Sequence, residues 1–254
     1  MKPSSGQPFK DHFSGHASAY ARYRPGYPAV LYDWLAAQVS EPDCAWDVAT
    51  GNGQAAVELA KRFRLVIATD GSAEQIAQAS KVANIEYRVE TAEDNSLADH
   101  SVDLVTVAQA YHWFDHAVFL RQVQRVSRPG GVLAIWTYAL AEINAAVDSV
   151  VRKFYSGPID AFWPPERRLV EAGYRSLQFP WPEMVVPEFQ LQQHWSLDDL
   201  LGYLRTWSAV QRYQVAHNKD PVTEWQDQFA TAWGEPGKLT INWPLRLRCF
   251  RIAG

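Results

Sequence analysis
The chain has 254 residues, 47% of them hydrophobic and 20% charged, enough to bury one sizeable core in a single α/β domain. Its net charge of −4 provides no global basic field, which speaks against nucleic acid or a membrane surface as a partner. No apolar run approaches the roughly 18 residues of a membrane span. The polar start, Met1-Lys2-Pro3-Ser4-Ser5-Gly6, has no signal-like apolar stretch, so the expected location is cytoplasmic.

In chain order, residues 29–39 have helical composition and precede a short apolar run, Cys44-Ala45-Trp46, that reads as a first strand. A small-residue turn follows, then a helix over 55–63. Residues 64–70 form an apolar strand ending in Asp70, after which Gly71-Ser72 opens another helix. Residues 102–110 read as a fully buried fourth strand, and alternation of strands and helices to about residue 137 implies a mostly parallel, doubly wound sheet. A helix is expected over 141–155, and the segment 156–187, punctuated by six prolines, is expected to be partly irregular. Ser196 is a helix cap with Asp199 in the capping-box position, and the helix should run through 200–212. Another helix covers 222–233 behind Pro221. Residues 239–252 hold the last strand or strands, with Pro244 arguing against one uninterrupted central strand. The sixth strand has two candidates, 186–195 and 239–245. Cys44 and Cys249 lie beside strand-like segments, as buried free thiols do.

The turn Asp47-Val48-Ala49-Thr50-Gly51-Asn52-Gly53 carries the chemistry. Small residues belong where a backbone approaches a ligand closely or adopts positive φ, and the N–H groups opening the next helix are free for a polar ligand. Gly51-x-Gly53-x-x-Ala56 fits a dinucleotide-binding loop. Asp47-x-Ala49-x-Gly51-x-Gly53 instead resembles the first motif of class I S-adenosylmethionine-dependent methyltransferases, with Ala49 in the first glycine slot. Four further motifs resemble that family in order and spacing. They are the strand ending in Asp70, the segment Tyr87-Arg88-Val89-Glu90-Thr91-Ala92-Glu93-Asp94, the fourth strand, and the Pro129-Gly130-Gly131 turn between a helix and a strand.

The resemblance implies a Rossmann-like methyltransferase sheet with an N-terminal helical cap and an inserted, partly helical substrate-side segment. Within one domain spanning 1–254 it divides the chain into a cap at 1–28, a cofactor-binding core at 29–138, substrate-side helices and insertion at 139–238, and a closing strand region at 239–254. It implies S-adenosyl-L-methionine as cofactor. Asp70 would take the ribose beside Gly71. Ala92 and Glu93 would meet the adenine edge. Ala49, Gly51, Asn52 and Gly53 would line the amino-acid end, and Asp47 would shape the pocket or hold the methionine ammonium. Arg24 would pair with the methionine carboxylate, and Tyr20, on the same helix face, would face the sulfonium or the acceptor.

Gln109-Ala110-x-His112-Trp113-Phe114-Asp115 and Leu204-Arg205-Thr206-Trp207-Ser208-Ala209 resemble the subgroup of trans-aconitate and cantharidin methyltransferases. On that resemblance Gln109 belongs to the cofactor site, and His112, Trp113, Tyr203, Arg205 and Trp207 to the acceptor side. His112 could orient the acceptor or act as a base. With His116 it has the i, i+4 spacing of a helical metal pair, but no third ligand is in sight and no metal is expected.

The expected reaction is methyl transfer to a small-molecule acceptor by a monomer or homodimer, with O-methylation of a carboxylate, anchored by Arg24, Arg205 or Tyr203, as the leading form. Phenol, amine and thiol acceptors stay open. An NAD-type oxidoreductase would leave Ala92-Glu93 and the Pro-Gly-Gly closure without a purpose. A silent binding module would be expected to have lost its glycines or Asp70, all of which are present.

Overall fold
The structure, a computed structural model, describes residues 23, 25–235 and 237–253. Seven strands form one sheet in the order β3-β2-β1-β4-β5-β7-β6. β1 (Cys44–Val48), β2 (Leu65–Asp70), β3 (Ile85–Val89), β4 (Val102–Ala108) and β5 (Ser127–Tyr138) are parallel. β7 (Leu239–Arg251) runs antiparallel between β5 and β6 (Gln190–Trp195). The chain builds outward through β2 and β3, then returns to lay β4 on the other side of β1. That reversal opens a crevice at the carboxyl ends of β1 and β4, the position where ligands bind in open α/β sheets.

Alternate residues of the central strands feed two faces. Ala45, Leu104, Ala134 and Trp136 pack with α1 (Ala29–Ala36) and α2 (Gln54–Leu59) through Leu31, Tyr32, Leu35, Ala56 and Leu59. Trp46, Val105, Val107, Leu133 and Ile135 pack with α4 (His116–Val126) through Phe119, Val123 and Val126. The short α3 (Ala73–Ala77) follows β2, capped by Ser72. A third cluster lies beneath β6 and the first half of β7. It gathers Val151 and Phe154 of α5 (Ala145–Tyr155), Leu200, Leu201 and Leu204 of α7 (Leu197–Arg205), Val210 of α8 (Ser208–His217) and Phe229 of α10 (Gln226–Trp233). α6 (Arg167–Glu171) is the main helical piece of the proline-punctuated segment, and α9 is Pro221–Glu224.

Both candidates for the sixth strand are strands. Pro244 does not interrupt β7, because it stands where the strand changes partners. Residues 239–244 pair with β6 and residues 245–251 with β5, so the missing N–H falls at the handover. The capping box of Ser196 and Asp199 forms as its spacing predicts. The helix it starts ends earlier than expected, at Arg205. The Thr206 hydroxyl donates to the Tyr203 carbonyl at 2.6 Å, competing with the helical ladder, and Trp207 is extended. The helix expected over 222–233 is likewise split, at Trp225. Cys44 and Cys249 are buried free thiols. No helix among the described residues is long and apolar enough to cross a membrane.

Candidate functional site
The glycine turn between β1 and α2 is wound tightly, with Ala49, Gly51 and Gly53 all at positive φ (52°, 58° and 86°). At Gly53 the space is closed as well, since a Cβ there would collide with the Tyr87 hydroxyl. At Gly51 an added Cβ would meet nothing nearer than Gln75 Oε1 at 3.8 Å, so the turn presents backbone to open space. Asn52 sits half-buried between the two glycines.

Two acids frame this turn. Asp70, the last residue of β2, accepts the Gly51 N–H on Oδ2 and the Ser72 N–H on Oδ1, both at 2.8 Å. Its carboxylate is thus aimed by two backbone donors. Gly71 lies between Asp70 and Ser72 at the same strand tip. Asp47 is 1% exposed and accepts the hydroxyls of Thr50 at 2.5 Å and Thr106 at 2.8 Å. Burial pushes its carboxyl up to about 6, against the hydroxyl bonds that lower it; the nearby Asp70 charge raises it further. A buried acid in that state suits a cationic partner.

Ala92 is buried in the stretch after β3, and the Glu93 carboxylate accepts the Asp115 N–H at 2.9 Å, tying this stretch to the start of α4. Gln109, at φ 59°, follows β4. Its Oε1 accepts the Thr137 hydroxyl at 2.8 Å, and its Nε2 is buried with no hydrogen-bond partner among the described residues. Turn, acids and orphaned amide donor all lie at the carboxyl ends of β1, β2 and β4. They fit a polar nucleoside carrying an amino-acid end: a backbone cradle, a carboxylate at a strand tip and a buried acid for a cation.

Tyr20 and Arg24, assigned to the cofactor by resemblance, lie outside the described residues. His112 belongs to a 3-10 turn, Tyr111–Trp113, while His116 opens α4, so the two do not share the helix that their spacing suggested. His112 Nδ1 lies 2.9 Å from the Tyr174 hydroxyl. His116 Nε2 lies 3.0 Å from the Tyr111 carbonyl, and its ring stacks on Tyr111 at 4.5 Å. Among the described residues no three His, Cys, Asp or Glu side chains gather as metal ligands. Burial, with smaller contributions from the Arg167 and His116 charges, holds the His112 imidazole down at about 3, so it is neutral at physiological pH.

Beside His112, at the end of β5, opens a cavity of about 300 Å3 lined by Tyr138, Ala139, Leu140, Tyr155, Arg167, Val170 and Glu171. Trp113 packs on His112 at 4.6 Å. The other acceptor-side candidates sit elsewhere. Arg205 Nε is paired with Asp220 at 2.7 Å, and its Nη2 reaches Thr223 at 3.2 Å. Tyr203, 3% exposed, packs among Trp195, Trp207 and Trp243. Trp207, 4% exposed, lies behind the cavity wall against Tyr155 and Trp163. None of these three lines the cavity: Tyr203 on α7 and Trp207 just after it pack into the third core cluster, and Arg205 turns to Asp220. Sequence reasoning missed Tyr174, Thr137 and Arg167. Tyr174 and Arg167 come from the proline-punctuated segment, whose lack of periodicity hid them.

Residues 46–135 match the family model described as a methyltransferase domain. The chain is 34% identical to a Dictyostelium discoideum protein assigned as a methyltransferase, over 93% of each chain. It is 33% identical to an uncharacterized methyltransferase of Mycobacterium tuberculosis, over 63% of this chain and 69% of that one. Among solved structures it resembles an Anaeromyxobacter dehalogenans protein assigned as a type II methyltransferase, with a TM-score of 0.85 and 41% identity, covering 91% of this chain and 99% of that one.

Proposed function
The chain belongs to the class I S-adenosylmethionine-dependent methyltransferases, and from that premise we propose that it methylates a carboxylate oxygen of a small-molecule acceptor. When bound, S-adenosylmethionine supplies a methyl group already activated on a sulfonium. Asp70 would accept the ribose hydroxyls, its orientation fixed by the Gly51 and Ser72 N–H groups. Asp47 would hold the amino-acid ammonium, whose charge favours the ionised carboxylate that burial alone disfavours. Gly51 and Gly53 keep the turn free of side chains where that end lies. The Ala92-Glu93 stretch would meet the adenine, and Gln109 Nε2 would donate to the cofactor.

The observation that carries the acceptor reading is the state of His112, the imidazole nominated as a base. Held near 3, with Nδ1 at hydrogen-bond distance from Tyr174, it is a poor proton acceptor at neutral pH. Phenols and alkylamines have ordinary pKa values near 10 and must lose a proton before or during transfer, whereas a carboxylic acid, near 4, arrives ionised. A site of this kind contributes by orientation, and aligning acceptor oxygen, methyl and sulfur can supply roughly 7–11 kcal/mol of the barrier. Resemblance to the trans-aconitate and cantharidin subgroup points the same way. Two readouts test it: the alkali lability of the methylated product and the pH dependence of kcat. A methyl ester that releases methanol in mild alkali, formed with kcat flat from about pH 6 to about pH 9, is expected for an acceptor ionised throughout that range. An alkali-stable product, or a kcat rising tenfold per pH unit, would move the reading to a phenol or amine.

A further inference from the structure
The cavity beside His112 contains an arginine that no described carboxylate neutralises. Arg167, half-buried on α6, donates from Nε to the Tyr155 hydroxyl at 2.8 Å. Its guanidinium lies 4.8 Å from the Trp163 ring centroid and 5.5 Å from that of Tyr155. Glu171, one helical turn on at the exposed rim, bonds the Tyr155 hydroxyl, so the phenol stands between the two charges. Three other arginines near the sheet are paired with carboxylates, Arg128 with Asp103 and Asp43, Arg248 with Glu183 and Arg205 with Asp220, while Arg246 and Arg251 of β7 bond backbone carbonyls.

A cation removed from water without a counter-ion is costly. Two neighbouring aromatic rings offset part of that cost. With Nε occupied by Tyr155, the Nη donors remain, and their planar fork matches a carboxylate. The other walls supplied by Tyr138, Leu140 and Val170 are largely apolar, so the ligand that fits is an anion on an apolar body of modest size. Tyr138 ends β5, beside the end of β4, and two strand spacings, about 10 Å, separate β5 from the glycine turn after β1. That places the cavity within reach of a small acceptor presented to the cofactor site.

We propose that Arg167, set against the stacked pair of Tyr155 and Trp163, is the specificity-determining anchor for the acceptor's carboxylate. The inference rests on the carboxylate reading above and assigns that reading a residue on α6 in place of Arg205.

Calorimetric titration of protein saturated with S-adenosylhomocysteine tests it, using hexanoate, benzoate and 3-phenylpropionate, each against its primary amide. At least one carboxylate is expected to bind roughly tenfold or more tighter than its amide, and to lose roughly 10–100-fold in Arg167→Gln, with part of the affinity kept in Arg167→Lys. Affinity for S-adenosylhomocysteine should stay within about twofold in both variants, which shows that they are folded. Carboxylates and amides binding alike, no carboxylate binding, or an Arg167→Gln protein equal to wild type would overturn the assignment. The two readings fail separately. Carboxylate binding that depends on Arg167 alongside an alkali-stable product removes ester formation and leaves the anchor. Ester formation with unchanged KM in Arg167→Gln removes the anchor alone.

Discussion

Replacing Asp47 with Asn should stabilise the ligand-free protein, increasingly so as the pH rises. The carboxyl is 1% exposed and sits at about 6 in the fold against an ordinary 3.8. A pKa raised by folding means that the native state binds the proton more tightly than the unfolded chain does. That contribution is fully present below 3.8 and is lost as the pH climbs through 6. About two pKa units at 1.36 kcal/mol each give a loss of roughly 3 kcal/mol, of which about 1.5 kcal/mol falls between about pH 5 and about pH 8. Asn cannot ionise, keeps an oxygen for one of the two threonine hydroxyls, which Asp47 accepts on separate oxygens, and can donate from its amide nitrogen to the other once that hydroxyl turns. The stability of Asp47→Asn relative to wild type, from urea denaturation without ligand, should therefore rise by about 1.5 kcal/mol between those two pH values. Saturating S-adenosylhomocysteine should reverse the advantage near pH 8, because its ammonium would pair with the ionised Asp47 and not with the amide. A difference between the two proteins that stays constant with pH would refute the reasoning, since it would mean that Asp47 has no raised pKa to relieve.

The glycine turn and the discarded anchor give further expectations. Gly53→Ala should lose about 1–2 kcal/mol from the left-handed backbone alone, and more from the collision with Tyr87. Adding Tyr87→Phe should recover part of the loss, because the Tyr87 hydroxyl is buried without a partner among the described residues; additive effects in thermal unfolding would show that the two residues do not press on one another. Arg205→Gln should cost no more than about 1 kcal/mol, as expected for a partly exposed ion pair, and leave the acceptor KM unchanged; a raised KM would return Arg205 to the site.

The geometry of the glycine turn and of the strand tips beside it could be read from the sequence, because it is local. Asp47, Gly51 and Gly53 lie within seven residues, Asp70 ends the next strand, and the turn's positive φ values are what its glycines are for. The acceptor side is not local. Arg167 meets Tyr155 and Trp163 only through folding of a segment whose prolines erase periodicity, and Tyr174 reaches His112 from 62 positions away. Tyr203, Arg205 and Trp207 look like site residues in a linear motif. Tyr203 and Trp207 face a core whose other members, such as Trp195 and Trp243, are distant in sequence, and Arg205 meets Asp220 across the next helix. Pro244 misled for a related reason, since whether a strand tolerates proline depends on which neighbour it pairs with at that residue.

The most direct test of the account is calorimetric titration of S-adenosylhomocysteine into wild type, Asp70→Asn and Asp70→Ala at neutral pH. Each hydrogen bond from a ribose hydroxyl to the charged carboxylate is worth about 1.5–3 kcal/mol, so removing the charge should weaken binding roughly 10–100-fold in both variants. Wild-type binding undiminished in the variants would contradict the assignment of the ribose to the tip of β2, and no binding to folded wild-type protein would contradict the cofactor site itself.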